Sequence, residues 1–260
     1  MLATVLALHR YPVKSMQGEA VERLDLTERG AEGDRRWGVV DAETGKVLSA
    51  KRVGALLEAT ARLDGPSGRS CVVTLPDGSA HEAGDPASDV ALSAWLGRDV
   101  RLQPADEAAP AGYEMNTDAT DESSPIVEFP CPPGTFLDAA AIHLLTTASL
   151  DVARTVHPAG DWNPHRFRPT ALAGAAGDHA GFVEDGWIGA TLGLGTADLY
   201  IFAPTVRCAM PTRPQPAHGL DRDPDVARTL TREHGSNLGV YAAVRVAGMV
   251  AVGDELRRLD

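Results

Sequence analysis

Turn residues cut this chain into pieces too short for anything but a largely β fold. Glycine accounts for 26 residues and proline for 18, and in the first hundred positions they bracket brief runs of apolar and β-branched residues. Residues 2–8 read as one strand and 20–26 as another. Residues 36–41 and 46–50 read as a hairpin around 42–45, and residues 71–75, followed by Pro76, Asp77 and Gly78, repeat that signature. Proline presets φ in such a turn, and glycine takes the positive φ that other residues resist. Between the strands, Val90, Leu92, Trp95 and Leu96 fall at helical spacing within 88–96, and strand returns at 99–102.

Charge and hydropathy narrow the class. Lys and Arg number 24 against 36 Asp and Glu, a net charge of −12, so a general affinity for nucleic-acid backbones is excluded and any anion site must gather its cations locally. Hydrophobic residues make up 43% of the chain, enough for a core, without the clustering of a membrane span. The N-terminus is apolar but has no basic leader and stops at His9-Arg10-Tyr11-Pro12, so it reads as a first strand of a cytoplasmic protein. Three scattered cysteines, Cys71, Cys131 and Cys208, with no CxxC pair, give neither a disulfide framework nor a cysteine-rich metal site.

The second half has more pattern. Residues 104–134 are rich in proline, alanine and acid (Asp106, Glu107, Glu114, Asp118, Asp121, Glu122) and have no usable period, so they read as a linker or flap. Strands are expected over 141–145, 167–172, 187–192, 197–202 and 238–246. Helices are expected over Thr147–Val156, with Val152 and Val156 inward, and over Pro224–His234, where Asp223 suits the N-cap and Pro224 the first turn. The expectation is a mainly β (α+β) architecture: a β-barrel with peripheral helices, preceded by a small antiparallel β unit.

Four stretches could carry chemistry. Cys208 lies beside Arg207 at a strand end, between Pro204 and Pro211, where a cation would favour the thiolate that a soft metal binds; the plainer reading is a small buried hydrophobe. Tyr11-Pro-Val-Lys-Ser15 presents Lys14 and Ser15 on a stiffened turn, residues 33–37 offer Arg35, and Arg166-Phe-Arg-Pro169 offers Arg168 at a strand start. Each cation alone fits a solvated surface, whereas together they suit a phosphate-bearing ligand. His143 reads as a hydrogen-bonded core residue, Trp162, Phe182 and Trp187 as core or cleft walls, and Asp254 as a turn residue.

The order YPVKS, GDRRW, HLLTTASL, RFRP, VRC, LGVYA and VGDEL resembles the MOSC family, named after the C-terminal part of molybdenum-cofactor sulfurases. The N-terminal half resembles the β-barrel domain that precedes MOSC in the amidoxime-reducing component. The resemblance implies an N-terminal β domain over 1–104, a linker or flap over 105–134 and a MOSC domain over 135–260. It also implies a molybdenum cofactor (molybdopterin) with Cys208 as the protein's thiolate ligand to the metal. Lys14, Ser15, Arg35 and Arg168 fall where those proteins hold the pterin and its phosphate, Arg207 lies beside the ligand, and Tyr241 is a further carry-over. Two positions depart from the pattern: Val206 stands where relatives have serine, and Thr170, which the resemblance still implies as a cofactor-binding residue, stands where they have asparagine after the arginine-proline pair. Residues 138–141 also lack the hydroxyls of relatives.

The function so implied is an oxidoreductase that reduces N-hydroxylated compounds such as hydroxylamines, amidoximes or N-hydroxylated bases. No cysteine-rich cluster site follows the MOSC-like part, so the electrons are expected from a separate donor protein, with no nucleic-acid or membrane partner. A module that carries the cofactor, or sulfur on Cys208, is the alternative. A plain β-barrel interaction protein with an inert cysteine would leave the ordered motifs without a reason.

Overall fold

A computed structural model describes residues 1–64, 70–106, 111–118, 121, 123–177 and 181–260. Seven strands close a barrel: β1 (Ala3–Arg10), β2 (Ile142–Thr146), β3 (Ala171–Ala175), β4 (Thr191–Leu194), β5 (Ala197–Val206), β6 (Asn237–Val246) and β7 (Glu255–Arg258). Around the barrel they run β3, β2, β6, β5, β4, β7, β1. The first strand pairs back onto β3, Val5 opposite Ala173 and Leu8 opposite Ala171, so the ring has no free edge. Alternation along each strand turns Val5, Leu144, Leu192, Leu199, Ile201, Val240, Ala242 and Leu256 into the barrel interior.

Three helices accompany the strands: α1 (Pro86–Leu96), α2 (Thr147–Val156) and α3 (Pro224–His234). β2 and β3 are parallel neighbours, a pairing that needs a crossover, and α2 lies in it. The N-terminus of α2 is capped by Thr146, whose hydroxyl accepts from the Ser149 amide. The buried Glu184 carboxylate accepts from both the Thr146 and Ser149 hydroxyls at 2.6 Å. Leu150 and Ala153 dock the helix onto Trp162, Phe167 and Leu238. Asp223 caps α3 by accepting from the Asp225 amide, and Gly235 ends it in the left-handed conformation.

Residues before the second barrel strand build a separate core of Val39, Leu56, Leu57, Val73, Leu92 and Val100. It includes Met210, and Cys208 packs against it, so the segment after β5 is held between this unit and the barrel. Arg166, 1% exposed, fixes that segment: its guanidinium donates to the Pro211, Arg213 and Asp221 carbonyls and pairs with Asp161 at 3.1 Å.

Several local expectations are corrected. The hairpin of 36–41 with 46–50 forms but is short, the Asp41 amide donating to the Lys46 carbonyl at 2.9 Å and the Leu48 amide to the Val39 carbonyl at 2.7 Å about the Val40–Val47 bridge, while the longer ladder of Trp37–Asp41 is with Val100–Pro104, a partner far along the chain. Pro164–Phe167 and Val183–Trp187 are 3-10 turns, not strand starts, and the strands begin only at Ala171 and Thr191. Val156 is 40% exposed, because α2 docks through Leu150 and Ala153 instead. Within 105–134, Gly112–Asn116 and Ile126–Pro130 pair as an antiparallel ribbon. Tyr113 and Cys131 seat it against Val47 and Phe136. Glu107 and Glu122 of the acidic run lie outside the described residues.

Candidate functional site

One cavity gathers side chains from distant parts of the sequence. Lys14, Ser15, Arg35, Arg168, Thr170, Arg207, Cys208 and Tyr241, all the site residues expected from sequence, line it together. Phe136, Leu137, Asp138, residues 139–141, His143, Phe167, Val206 and Met210 complete the wall. Barrel strands deliver Tyr241 and Val206, the turns after β1 and before β3 deliver Lys14, Ser15 and Arg168, and Cys208 sits just past β5.

The backbone is held in an unfavourable conformation around this cavity. Ser15, Arg35 and Arg168 have φ of 71°, 47° and 53°, and among the described residues only one other non-glycine, Ser236, has positive φ. Such a conformation costs an ordinary L-residue roughly 1–2 kcal/mol, so its concentration at one cavity is an observation about function. The packing holds each residue there. Ser15 Oγ accepts from the Ala50 amide at 2.9 Å, the Arg35 amide donates to the Tyr11 carbonyl at 2.8 Å, and the Arg168 amide donates to the Pro164 and His165 carbonyls.

Positive charge exceeds negative charge here. Arg35 and Arg168 lie over the Tyr11 ring at 4.5 and 4.1 Å, and Arg35 pairs with Asp34, whose other oxygen accepts from the Tyr11 amide at 2.7 Å. Arg168 donates to the Met16 carbonyl at 2.7 Å and Arg207 to the Phe167 carbonyl at 2.8 Å. Neither has a carboxylate partner among the described residues, and the buried Arg207 Nε has no hydrogen-bond partner. Burial lowers Arg168 to about 10, still charged at neutral pH, with Arg35 adding to the effect. The same burial, with the Arg168 and Arg35 cations opposing it, pushes the Tyr11 phenol up to about 12.

Lys14 is engaged differently from the arginines. Its ammonium donates to the Phe136 carbonyl at 2.8 Å and pairs with Asp138, which also pairs with Lys51 at 2.9 Å; both ammoniums lie over the Tyr113 ring. Burial alone would raise the Asp138 carboxyl, but the two ammoniums outweigh it and hold the group well below the usual carboxylate range. Lys51 carries no motif that marks it in the sequence, and Asp138 is visible there only as the start of a hydroxyl-free stretch. Asp138→Asn is expected to destabilise the fold by about 2 kcal/mol at neutral pH, the usual cost of breaking a buried pair being reduced because Asp138 is 34% exposed. Chemical denaturation of the two proteins measures it.

His143 lines the same cavity but is held as a core residue. Its Nε2 lies 3.3 Å from the Leu238 carbonyl, and burial, then the Arg207 charge, lowers it to about 3, so the ring is neutral. The other two cysteines are buried, and burial pushes the Cys71 thiol up to about 12 and raises that of Cys131. Cys208 alone of the three reaches the cavity.

Closed barrel, strained cavity and a single reachable thiol coincide with two family matches: the MOSC N-terminal beta barrel domain over residues 2–110 and the MOSC domain over 132–257. The chain belongs to the MOSC-domain family. That domain is associated with molybdenum-cofactor sulfurase-like proteins. A search of curated proteins finds no match. Among solved structures, the YuaD protein from Bacillus subtilis is similar at 13% identity and a TM-score of 0.49, over 98% of this chain and 94% of that one. YiiM from Geobacillus stearothermophilus is similar at 15% identity and a TM-score of 0.36, over 62% of this chain and 67% of that one. At these values neither likeness carries further argument. No helix among the described residues is long and apolar enough to cross a membrane.

Proposed function

We propose that this chain holds a molybdenum cofactor in the cavity, with Cys208 as the protein's thiolate ligand, and reduces N-hydroxylated compounds with electrons from a separate donor protein. The observation that carries the reading is the juxtaposition of Cys208 with the buried Arg168 and the half-buried Arg207, two cations without carboxylate partners among the described residues. The residues fit an anionic group that brings most of its own metal ligands. Among the described residues no three His, Cys, Asp or Glu side chains converge as a metal site, so the chain's contribution to a metal here is one thiolate. A pterin phosphate would be taken by Arg35, Arg168 and Arg207 through charge-assisted hydrogen bonds, including the idle Arg207 Nε. Ser15, Thr170 and Tyr241 add hydroxyls at the wall, and Lys14, already committed to Asp138, holds the wall in place.

When bound, the cofactor supplies the two-electron chemistry, and the protein supplies binding, orientation and electrostatics. The balance is simple: an N–OH compound takes up two electrons and two protons, its N–O bond breaks, and the N–H compound and water are released. The electrons come one at a time from the donor protein. Arg168, Arg207 and the Lys14–Asp138–Lys51 group keep the cavity net positive, which favours an anionic cofactor over a cationic one.

The test is molybdenum by elemental analysis, with pterin by fluorescence after release, on protein from a host that makes the cofactor. Wild type is expected to be near-stoichiometric in both, and Cys208→Ala to lose most of its molybdenum. Arg168→Gly, which removes the cation and relieves the positive φ, is expected to lose at least tenfold in occupancy with stability changed by less than about 1 kcal/mol. A folded wild type with neither metal nor pterin would overturn the reading. Weak, exchangeable pterin, or cyanide-releasable sulfur without turnover, would favour the carrier alternative.

A further inference from the structure

The segment that carries Cys208, between the end of β5 and the start of α3, is attached with unequal strength to the two cores it lies between. Its backbone bonds to itself. The Gln215 and Leu220 amides donate to each other's carbonyls, and the Asp223 amide returns to the Thr212 carbonyl at 2.9 Å, which closes 212–223 as a compact loop. Among the described residues no backbone bond ties 209–222 to a strand of either unit, so side chains hold it in place. On the barrel side the hold is strong. Buried Arg166 donates to the Pro211, Arg213 and Asp221 carbonyls and pairs with Asp161, the Asp161 amide donates to Asp223 Oδ2 at 3.0 Å, and the His218 ring stacks on His165. On the N-terminal side it is slighter: Arg213 donates to the Lys51 carbonyl at 2.9 Å, Met210 packs into the core, and Gln17 Nε2 donates to Gln215 Oε1 at 3.1 Å. Gln17 and Gln215 are 1% and 0% exposed, yet Gln17 Oε1 and Gln215 Nε2 have no hydrogen-bond partner among the described residues. A buried amide left half-satisfied costs stability that a fully paired or wholly apolar contact does not, so this clasp is the weak point of the closure.

The weak seam borders the site. Gln17 follows Ser15 by two residues, and Cys208 and Met210 line the cavity from the segment. Lys14, Ser15 and Arg168 are buried, so a group as large as a pterin with its phosphate reaches them only if a wall yields. The barrel wall is fixed by its closed ladder of strands. Resting on the proposed function, we infer that the seam clasped by Gln17 and Gln215 is the entrance through which the cofactor is loaded. Residues 208–223 stay with the barrel and carry Cys208, while the contact with the N-terminal core opens and then closes over the bound group. The half-satisfied amides make that opening inexpensive, and the Arg166 anchor keeps Cys208 in register with the barrel residues of the cavity while it happens.

Two variants push the seam in opposite directions. Gln215→Ala removes the clasp, whereas Gln17→Leu combined with Gln215→Leu replaces both half-satisfied amides by apolar side chains and tightens it. The first readout needs no cofactor. Met210, buried in the seam, is reached by hydrogen peroxide and oxidised to the sulfoxide when the seam opens, and exposed Met249 serves as the reference for dose. On the apo protein Gln215→Ala is expected to oxidise Met210 at least about fivefold faster than wild type, and the double variant at least about threefold slower. Alkylation of Cys71, buried in the same core, is expected to be unchanged, which separates opening of the seam from unfolding of the unit. The second readout is the rate at which apo protein takes up molybdenum cofactor released from another molybdoenzyme, expected to rise in Gln215→Ala and to fall in the double variant, each by at least about threefold. Met210 oxidation that neither variant moves, or that both move the same way, overturns the inference, and so does oxidation that moves while uptake does not. The two readings fail differently: a wild type that takes up no cofactor strikes the proposed function and this inference with it, whereas a wild type that loads while Met210 is unmoved in both variants strikes this inference alone.

Discussion

Gly239→Ala is expected to lower stability by about 3 kcal/mol or more and the thermal midpoint by roughly 6–12 °C. Gly239 lies in β6 with φ of 82°, a conformation an alanine resists. A Cβ there would stand 2.6 Å from the Leu144 carbonyl oxygen and closer still to His143 Nε2. Neither neighbour can yield cheaply, since β2 and β6 are paired through Leu144 and Val240 and His143 is buried between them. The injury reaches the site, because His143 and Tyr241 line the cavity on either side of the clash. Gly186→Ala is the control. A Cβ there meets nothing within 4 Å, so the midpoint should stay within about 1–2 °C. Thermal unfolding of the three proteins decides the matter, and a Gly239→Ala midpoint equal to wild type would mean that the barrel yields at this position.

Acidification from pH 7 to pH 5 is expected to remove about 4 kcal/mol of stability through His9 and His143 alone. His9, on β1, meets His165 edge-on at 5.1 Å, and His165 stacks flat on His218 at 3.7 Å. Burial, then the repulsion of His165 and His218, lowers His9 to about 4; burial and His165 lower His218 to about 4; burial and Arg168 lower His165. In the unfolded chain these imidazoles titrate near pH 6.5. Between pH 6.5 and pH 4 the unfolded chain therefore binds more protons than the folded one. The contribution is present in full above about pH 6.5, is lost progressively as the pH falls from there, and is gone below the folded values. His9→Phe keeps a ring without the charge, and its loss between pH 7 and pH 5 should be smaller than that of wild type by about 2 kcal/mol. Urea denaturation at the two pH values measures both, and an undiminished loss in His9→Phe would remove His9 from the account. The strain falls on the cavity, since His165 precedes Arg168 by three residues and His218 closes the segment after Cys208.

Much of this site is legible in the sequence as residue types, and little of it as geometry. Lys14, Arg35, Arg168, Arg207 and Cys208 can be picked out from short motifs, and the cavity brings all five together. The left-handed backbone at Ser15, Arg35 and Arg168 cannot be read in advance, because glycine is the residue that marks such positions and none of the three is glycine. The role of Lys14 is also hidden. Spacing presents it as a free cation, but Asp138, over a hundred residues away, claims it together with Lys51. The buried Glu184 that caps α2 gives no local signal, as its partners Thr146 and Ser149 lie on another element.

What the sequence by itself determined are the local elements whose causes are local. Alternation fixes the barrel strands, Asp223, Pro224 and Gly235 fix the bounds of α3, and α2 runs over the residues its pattern marks. Only the tertiary structure decided which strands are neighbours. Alternation says which face of a strand is buried but not against what, so the near hairpin at 36–50 could be read and forms through Val40 and Val47, whereas the longer ladder of Trp37–Asp41 with Val100–Pro104 had no local sign. Closure of the barrel through β1 and β3 is the larger case. It joins the start of the chain to its middle, and by doing so carries Lys14 and Ser15 to the same cavity as Arg168 and Cys208.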